Sequence, residues 1–181
     1  MEVIETELQG CLLITNRIFK DERGNFRQTY SKKEFFSHTG LDIDFVQDNL
    51  SFSKKGVLRG LHFQTPPYEQ AKLIQVIKGR VLDVIVDLRA ESETFGKFIC
   101  LTLDADDSKS VFIPKGMAHG FLTLSDEVCF HYKCDEFYRP DAESGIAYDD
   151  QDLNIDWGYR KEEIILSEKD KKLPSFKSFL K

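Results

Sequence analysis

The sequence predicts a mostly β fold, a jelly-roll barrel with short peripheral helices. Apolar runs of strand length follow one another from residue 45 to residue 133, and turn signals separate them. Strands at this spacing are typical of a sandwich or a closed barrel. The chain also has 15 phenylalanines among 181 residues, which suits a β-rich core with aromatic layers.

Two motifs make the predicted barrel cupin-like. Residues 55–64 read Lys-Gly-Val-Leu-Arg-Gly-Leu-His-Phe-Gln and contain His62. Residues 111–121 carry a Pro-x-Gly-x-x-His pattern that ends at His119. A metal-binding cupin has a second histidine at the position that Gln64 occupies here. We therefore expect no metal and no other cofactor, and acid–base chemistry by side chains alone.

Local signals predict each element in chain order. A strand is expected over residues 11–19, then a turn over Asp21–Gly24 with glycine at a positive φ, then a strand over 25–30. Ser31 and Glu34 form a capping-box pattern that begins a short helix, and Gly40 ends it. Further strands are expected at 72–77 and 81–88, joined by the Lys78-Gly79 turn, and at 97–103, 110–113, 120–124 and 128–133. The residues from Ser167 onward favour a helix.

Composition limits the class of protein. The apolar fraction of 41% suits one domain over residues 1–181 with its own core. A net charge of −6 argues against a nucleic-acid partner, and no run approaches membrane-spanning length. Without a signal-peptide pattern, a cytoplasmic protein is expected. The four cysteines lack metal-site spacing and are expected to be buried free thiols: Cys11, Cys100, Cys129 and Cys134.

Three residues in strand-like runs are candidates for chemistry. An isolated histidine is more often a hydrogen-bonded structural residue, but His62 has Arg59 and Gln64 as unusual polar neighbours for a barrel wall. Lys72 suits either an edge lysine that blocks aggregation or a cation that stabilises an oxyanion. Tyr132 suits a core aromatic and a proton donor equally well.

The acidic candidates leave alternatives open. Asp170 ends a Ser-x-x-Asp pattern that also reads as a helix cap, which the local sequence favours. Asp83 and Asp87 share one face of a strand and, if buried, need partners, for which Lys72, His119 or Tyr132 would serve. Arg23 reads alone as a solvated loop charge. With Arg59, Lys72 and residues 47–49 it would form a phosphate-binding cluster.

Several blocks of the chain resemble the deoxythymidine-diphosphate (dTDP) 4-dehydrorhamnose 3,5-epimerases, a cupin-type family of nucleotide-sugar epimerases. The similarity covers nearly the whole chain in order, from Asp21-Glu22-Arg23-Gly24 onward. Its further blocks are residues 45–49, 56–64, 83–89, 113–121, 132–133, 152–157 and 166–170. Several independent motifs at matching spacings make a chance resemblance very improbable.

The resemblance implies a jelly-roll homodimer without a metal or organic cofactor. The implied substrate is a nucleotide-diphosphate-linked 4-keto-6-deoxy sugar. The catalytic histidine of the family falls on His62 and its orienting aspartate on Asp170, where a capping role can coexist. The lysine near the sugar keto oxygen falls on Lys72, and the tyrosine acid falls on Tyr132.

The resemblance also implies substrate-binding residues, some of them supplied by the partner subunit. The family's dimer exchanges N-terminal strands, so Arg23 and Phe26 would serve the partner's site. Gln28 stands where the family often has a glutamate against the thymine, which leaves the base preference open. The implied substrate-binding residues are Arg23, Phe26, Gln28, Gln47, Asn49, Arg59, Asp83, His119 and Tyr138.

The implied reaction is cofactor-independent 3,5-epimerisation of dTDP-4-dehydro-6-deoxy-D-glucose to dTDP-4-dehydro-L-rhamnose. The C4 ketone acidifies the hydrogens at C3 and C5, so a positioned base and acid suffice. Alternatives are an epimerase acting at one carbon only, a 3,4-ketoisomerase and a non-catalytic sugar-binding cupin. A metal-dependent dioxygenase is the least favoured alternative because Gln64 breaks the histidine pair.

Overall fold

A computed structural model describes residues 1–179 and shows two antiparallel sheets packed face to face, which confirms the predicted mostly β, cupin-like jelly roll. Residues 180 and 181, which the single-domain prediction includes, lie outside the described range. The strands are β1 (Glu2–Glu5), β2 (Leu12–Thr15), β3 (Ile18–Asp21), β4 (Gly24–Arg27), β5 (Gln47–Lys54), β6 (Leu58–Gln64), β7 (Lys72–Lys78), β8 (Arg80–Asp87), β9 (Phe98–Asp104), β10 (Lys109–Ile113), β11 (Met117–Thr123), β12 (Glu127–Cys134) and β13 (Glu143–Gly145).

The two sheets are built from strands distant in sequence. One sheet has the order β1-β2-β10-β7-β12-β5, and the other has the order β13-β6-β11-β8-β9. The β3–β4 hairpin forms a small sheet by itself. The α-helix α1 (Lys32–Thr39) lies outside the sandwich, and 3-10 helices cover Ala105–Asp107, Lys161–Glu163, Asp170–Lys172 and Phe176–Phe179. None of the helices within residues 1–179 is long and apolar enough to cross a membrane.

The main core lies between the sheets because alternate side chains of each strand point inward. Ile74 on β7, Ile85 on β8 and Phe130 on β12 are fully buried there. The rings of Phe121 and Phe130 stack with centroids 4.1 Å apart, which joins β11 to β12. Each such side chain contributes about 1.5–3 kcal/mol through burial.

The outer faces of both sheets are also covered. Trp157 and Phe176 in the C-terminal segment pack against Val84 and Val86 on the outer face of the β8 sheet. Phe35 of α1 covers the outer face of the other sheet. This double cover explains why β8 is apolar on both faces, and it brings the C-terminal segment against β6.

The N-terminal predictions are confirmed in part. Ser31 caps α1 by accepting from Glu34 N–H, and Gly40 ends the helix at φ 73°, as expected. The strand predicted over 11–19 is wrong as a single strand, because the chain leaves the large sheet after Thr15 and starts the β3–β4 hairpin at Ile18. The returning strand ends at Arg27 rather than at Tyr30, whose ring packs beside Phe35 at a centroid distance of 6.1 Å.

Two further predictions need correction. The segment from Ser167 forms short 3-10 helices instead of an α-helix, because its apolar side chains pack against the outer face of the β8 sheet and its backbone bonds to Ala147 at Pro174. Cys100 is exposed, whereas the other three cysteines are buried thiols. It lies on β9, the edge strand of its sheet, which leaves its side chain open to solvent.

Asp87 is buried, but the prediction that Lys72, His119 or Tyr132 would partner it is wrong. Burial opposes its ionisation, yet hydrogen bonds from Arg89, Ser92 and Thr94 hold the pKa of Asp87 well below its ordinary value. Arg89 also donates to the carbonyl oxygen of Gln9 at 2.7 Å. The Asp87 carboxylate therefore ties the N-terminal loop to the end of β8 and takes no part in the cavity.

Candidate active site

A cavity of about 490 Å³ opens between the two sheets, beside the C-terminal segment. Its walls come from β5, β6, β7, β11 and β12 and from residues 165–170. Seven predicted site residues line it: Arg59, His62, Lys72, His119, Tyr132, Tyr138 and Asp170. The fold therefore brings residues more than 100 positions apart in the chain, such as His62 and Asp170, into one site.

Close packing of β6 against β11 sets the geometry of the cavity wall. His62 and His119 lie directly opposite each other in the ladder, next to a bulge before Phe121. Gly60 adopts φ 124°, and a Cβ added there would lie 2.5 Å from Gly120 Cα. Only glycine permits this approach.

His62 and Asp170 form a hydrogen-bonded pair, with Nε2 and Oδ1 2.6 Å apart. Asp170 is only 5% exposed, and burial alone would raise its pKa. Hydrogen bonds from His62 and from the Ser167 side chain outweigh burial and hold the pKa of Asp170 below its ordinary value. An ionised Asp170 accepts from Nε2–H and leaves Nδ1 as the basic nitrogen. Within residues 1–179 that nitrogen has no protein hydrogen-bond partner.

The capping and catalytic predictions for Asp170 are compatible. Its own backbone N–H donates to Ser167 Oγ at 3.0 Å, which is the cap contact expected from the sequence. Its carboxylate points the other way, toward His62. The short 3-10 turn that begins at Asp170 fixes the backbone, so the side chain is held toward the cavity.

Lys72 is a buried cation that lines the cavity. The edge-lysine interpretation is wrong because β7 lies between β10 and β12 in the middle of its sheet. No carboxylate of the described residues lies within 4 Å of its Nζ. Burial lowers the pKa of Lys72, although negative charges at Glu143 and Asp83 oppose the shift. A cation kept in this position is suited to an anionic oxygen.

Tyr132 shares the inward face of β12 with Phe130, as the period-two pattern predicts. Its ring packs against the main core, and its edge lines the cavity. Burial raises the pKa of Tyr132, so the phenol keeps its proton at neutral pH. Its hydroxyl makes no hydrogen bond to any residue that the structure describes, which leaves it available as a proton donor.

His119 and Asp83 form a second pair, with Nε2 and Oδ2 2.8 Å apart. Asp83 is fully buried, so the expectation that a barrel residue would partner it is confirmed by His119. Its Oδ1 atom has no hydrogen-bond partner in the described part of the chain. The Phe130 ring stacks beside His119 at 5.9 Å, which fixes the imidazole at the cavity wall.

The remaining predicted residues of the pocket lie toward its mouth. Gln47 donates to Asn49 Oδ1 at 2.9 Å and accepts from the backbone N–H of Tyr138 at the same distance. These three residues line a smaller cavity of about 350 Å³, which shares Tyr132 with the main one. Arg59 donates through Nε to Ser53 Oγ at 3.1 Å and thereby reaches across to β5.

Sequence reasoning missed Glu143 and Lys169. Both line the cavity, where Glu143 accepts from Lys169 Nζ and from the Tyr138 hydroxyl. Burial opposes ionisation, but these hydrogen bonds lower the pKa of Glu143. Lys169 sits within the Ser-Glu-Lys-Asp block beside Asp170, a signal that would have found it. Glu143 stands in a short strand of only three residues, which carries no such signal.

Arg23, Phe26 and Gln28 do not reach the cavity of their own chain. Arg23 pairs with Asp21 in the hairpin turn, and Phe26 is 69% exposed. Gln28 follows β4 and is also exposed. The cluster of Arg23 with Arg59 and Lys72 does not form within one chain, so a role for these residues in a partner's site stays a prediction.

The side chain of Gln64 hydrogen-bonds to the backbone of three nearby residues. Its amide nitrogen donates to the carbonyl oxygens of Tyr68 and Phe137, and its oxygen accepts from Arg139 N–H at 2.6 Å. Across residues 1–179, no group of three or more His, Cys, Asp or Glu side chains is placed to hold a metal ion. The absence of a cofactor stays a prediction.

The cupin-like sandwich places two histidine–aspartate pairs at one cavity, an arrangement typical of enzymes that work by acid–base chemistry. A family model described as dTDP-4-dehydrorhamnose 3,5-epimerase matches residues 5–178, and the chain belongs to that family. This confirms the resemblance that the sequence motifs indicate, and with it an isomerase acting on nucleotide sugars.

Individual proteins agree with the family assignment. A dTDP-4-dehydrorhamnose 3,5-epimerase from Methanothermobacter thermautotrophicus is 47% identical over 169 residues, which cover 93% of this chain and 90% of that protein. The crystal structure of such an epimerase from Elizabethkingia anophelis matches with a TM-score of 0.93 at 47% identity, covering 98% of this chain and 97% of the other. A Legionella pneumophila dTDP-6-deoxy-D-glucose-3,5-epimerase in complex with dTDP-4-keto-L-rhamnose matches with a TM-score of 0.92 at 41% identity, over 96% and 92% of the two chains.

Proposed function

We propose that this chain converts dTDP-4-dehydro-6-deoxy-D-glucose to dTDP-4-dehydro-L-rhamnose by inverting C3 and C5. Family membership supports the reaction. The observation that carries it is the presence in one cavity of a base held by a buried carboxylate, a buried cation and a protonated phenol. These three groups are what carbon-acid chemistry next to a ketone requires.

His62 is the base. Asp170 holds the proton on Nε2, so Nδ1 removes the hydrogen from the carbon next to the ketone. The C–H electron pair moves into a new C=C bond, and the carbonyl oxygen becomes an enolate oxygen. The ammonium of Lys72 stabilises that oxygen in a site that is largely shielded from water.

Tyr132 is the acid. Its raised pKa keeps the proton on the phenol until the enolate carbon takes it. Donation on the face opposite His62 inverts the carbon, and the phenolate is then reprotonated from solvent. An acid or base placed in this way contributes roughly a factor of 10² to 10⁴ to the rate.

Substrate binding in this proposal uses both subunits of a homodimer in the cytoplasm. Arg59, Gln47, Asn49 and Tyr138 hold the nucleotide diphosphate. His119 contacts the sugar, and the fully buried Asp83 acts through His119 by holding its imidazole in place. The partner subunit's Arg23, Phe26 and Gln28 complete the nucleotide site, because their own hairpin carries them away from the cavity of the same chain.

Proton NMR of the purified protein with this substrate in deuterated water tests the reaction. Deuterium at both C3 and C5, with the rhamno configuration in the product, is the expected result. Exchange at one carbon only would replace the proposal with a single-site epimerase, and a product with its ketone at C3 would indicate a 3,4-ketoisomerase. Binding without exchange at either carbon would indicate a sugar-binding protein.

A further inference from the structure

An edge strand usually turns its apolar side chains toward the core and its polar side chains toward solvent. β5 has the opposite pattern. Four of its polar residues lie on the inward face, whereas Leu50 and Phe52 are 54% and 72% exposed. Inward side chains on a strand recur about every 6.6–6.8 Å, so four of them form a polar row about 20 Å long. The members of this row are Gln47, Asn49, Ser51 and Ser53.

Ser51 is the one member of the row with no assigned role and no partner. Its Oγ is shielded from solvent by the surrounding protein and makes no hydrogen bond within residues 1–179. It lines the main cavity, opposite Phe130 in the ladder. A buried hydroxyl without a partner destabilises the fold, so such groups are rare unless something else binds them.

Ser53, the inward-facing residue of β5 that follows Ser51, indicates the kind of ligand that Ser51 would bind. Ser53 accepts from Arg59 Nε at 3.1 Å, and the carbonyl oxygen of Phe52 accepts from the same guanidinium at 3.4 Å. Arg59 lines the cavity and has no carboxylate of the described residues within 4 Å. A hydroxyl without a partner, one inward position from the serine that holds a guanidinium with no carboxylate partner, is an arrangement that binds an anionic oxygen.

We propose that Ser51 is a further substrate-binding residue, whose hydroxyl donates to a phosphate oxygen of the nucleoside diphosphate that Arg59 holds. This inference rests on the proposed function. The diphosphate is favoured over the sugar because Ser51 lies on the Arg59 side of the row, and because a hydroxyl donor suits a phosphate oxygen. In this arrangement the ligand runs along β5, with its nucleoside toward Gln47 and its sugar toward His62.

Isothermal titration calorimetry with dTDP and UDP on three full-length variants tests this role. Ser51→Ala is expected to weaken nucleoside diphosphate binding roughly tenfold, the size of one hydrogen bond to a charged group. Ser51→Thr keeps the hydroxyl and restores most of the affinity. Ser108→Ala is the matched control, since it also removes a buried hydroxyl without a partner but lies outside the cavity.

The outcomes separate this inference from the proposed function. Unchanged affinity in Ser51→Ala, or an equal loss in Ser108→Ala, would overturn the role of Ser51 even if the parent epimerises both carbons. A parent that binds a diphosphate but exchanges no deuterium would overturn the function and leave the Ser51 comparison intact. A parent that binds neither diphosphate would overturn both. The thermal unfolding temperature of Ser51→Ala should not fall, because its hydroxyl has no partner to lose.

Discussion

One basic residue in the cavity, Lys72, is not neutralised by the fold. Lys72 is 8% exposed and has no carboxylate within 4 Å of its Nζ among the described residues. A buried charge without a partner destabilises a protein, so we interpret Lys72 as preorganised for an anionic ligand at the expense of stability.

Lys72→Met is therefore expected to abolish activity and stabilise the fold. Replacing a buried charge with an apolar side chain of similar length can stabilise by about 1–4 kcal/mol, and each kcal/mol raises the unfolding temperature by about 2–4 °C. Thermal unfolding measures the gain. Lys78→Met is the control, because Lys78 is exposed and its loss should change stability by less than about 0.5 kcal/mol.

The same prediction has a definite pH dependence. Burial lowers the pKa of Lys72 in the folded chain. At pH values between that lowered pKa and the pKa of Lys72 in the unfolded chain, the unfolded chain therefore binds more protons than the folded chain. Stability of the parent therefore rises with pH as Lys72 loses its proton in the folded state. The stability gap between Lys72→Met and the parent should be largest below the lowered pKa of Lys72 in the folded state and shrink as the pH rises through that pKa. A gap that stays constant would argue against a charged, buried Lys72.

His62→Asn should slow deuterium exchange by roughly 10²–10⁴-fold, because Asn cannot accept the carbon-bound proton. Initial rates by NMR in deuterated water measure the loss, and dTDP affinity should change little. His38→Asn is the control, since His38 lies on the exposed end of α1. Exchange at parental rates in His62→Asn would assign the base to another residue, with His119 the first to examine.

At the scale of elements, the approach of β6 to β11 decides the positions of both histidines. The two strands meet at Gly60 and Gly120, beside the His62–His119 pair. A side chain at either glycine would push the strands apart and tilt both rings. The bulge before Phe121 then returns β11 to register, so Phe121 can stack on Phe130 in the core.

Gly60→Ala is expected to destabilise the protein strongly, because its Cβ would lie 2.5 Å from Gly120 Cα. Gly24→Ala provides a close control: Gly24 has φ 128°, Gly60 has φ 124°, and no heavy atom lies within 4 Å of a Cβ at Gly24. Both variants carry the backbone strain, about 1–2 kcal/mol, and only Gly60→Ala carries the clash. Equal unfolding temperatures for the two variants would show that strand packing at Gly60 is unimportant.

At the scale of the whole molecule, the β3–β4 hairpin stands apart from the sandwich. It pairs with no other strand of residues 1–179 and exposes Phe19 and Phe26 by 50% and 69%. Two exposed aromatic side chains on one hairpin mark an interaction surface. The exposed Leu50 and Phe52 on β5 add a second apolar surface. The homodimer in the proposal would cover both.

Mixed dimers test whether Arg23 serves the partner's cavity. Arg23→Ala and His62→Asn should each be nearly inactive alone, the first for lack of substrate binding and the second for lack of a base. Mixing them after partial unfolding should restore activity, because each mixed dimer has one cavity with His62 and the partner subunit's Arg23. No recovery, with mixed dimers confirmed by mass spectrometry, would mean that Arg23 acts within its own chain or not at all.

Much of this architecture can be predicted from the sequence, because side-chain alternation and helix capping depend on residues that are close together in the chain. Period-two alternation predicted β7, β8, β9, β10 and β12 to within one or two residues, and the Ser31 and Gly40 signals predicted α1 to the residue. The errors fall where packing overrides local preference. The C-terminal segment favours a helix by composition, but its apolar side chains cover the β8 sheet and leave room for single turns only.

The features of the site also fall into two groups, those that the sequence predicts and those that depend on the tertiary structure. The sequence by itself determined the cupin-like barrel and the family, because motifs and strand periodicity depend on neighbours in the chain. Local patterns left structural alternatives open for His62, Lys72 and Tyr132, and the family resemblance predicted their roles and the pairing of Asp170 with His62. Only the tertiary structure decided the 2.6 Å geometry of that pair, the lack of a carboxylate beside Lys72 within residues 1–179, and the place of Glu143, Lys169 and Ser51 in the cavity. Burial and pairing depend on segments distant in the chain, and no local pattern encodes them.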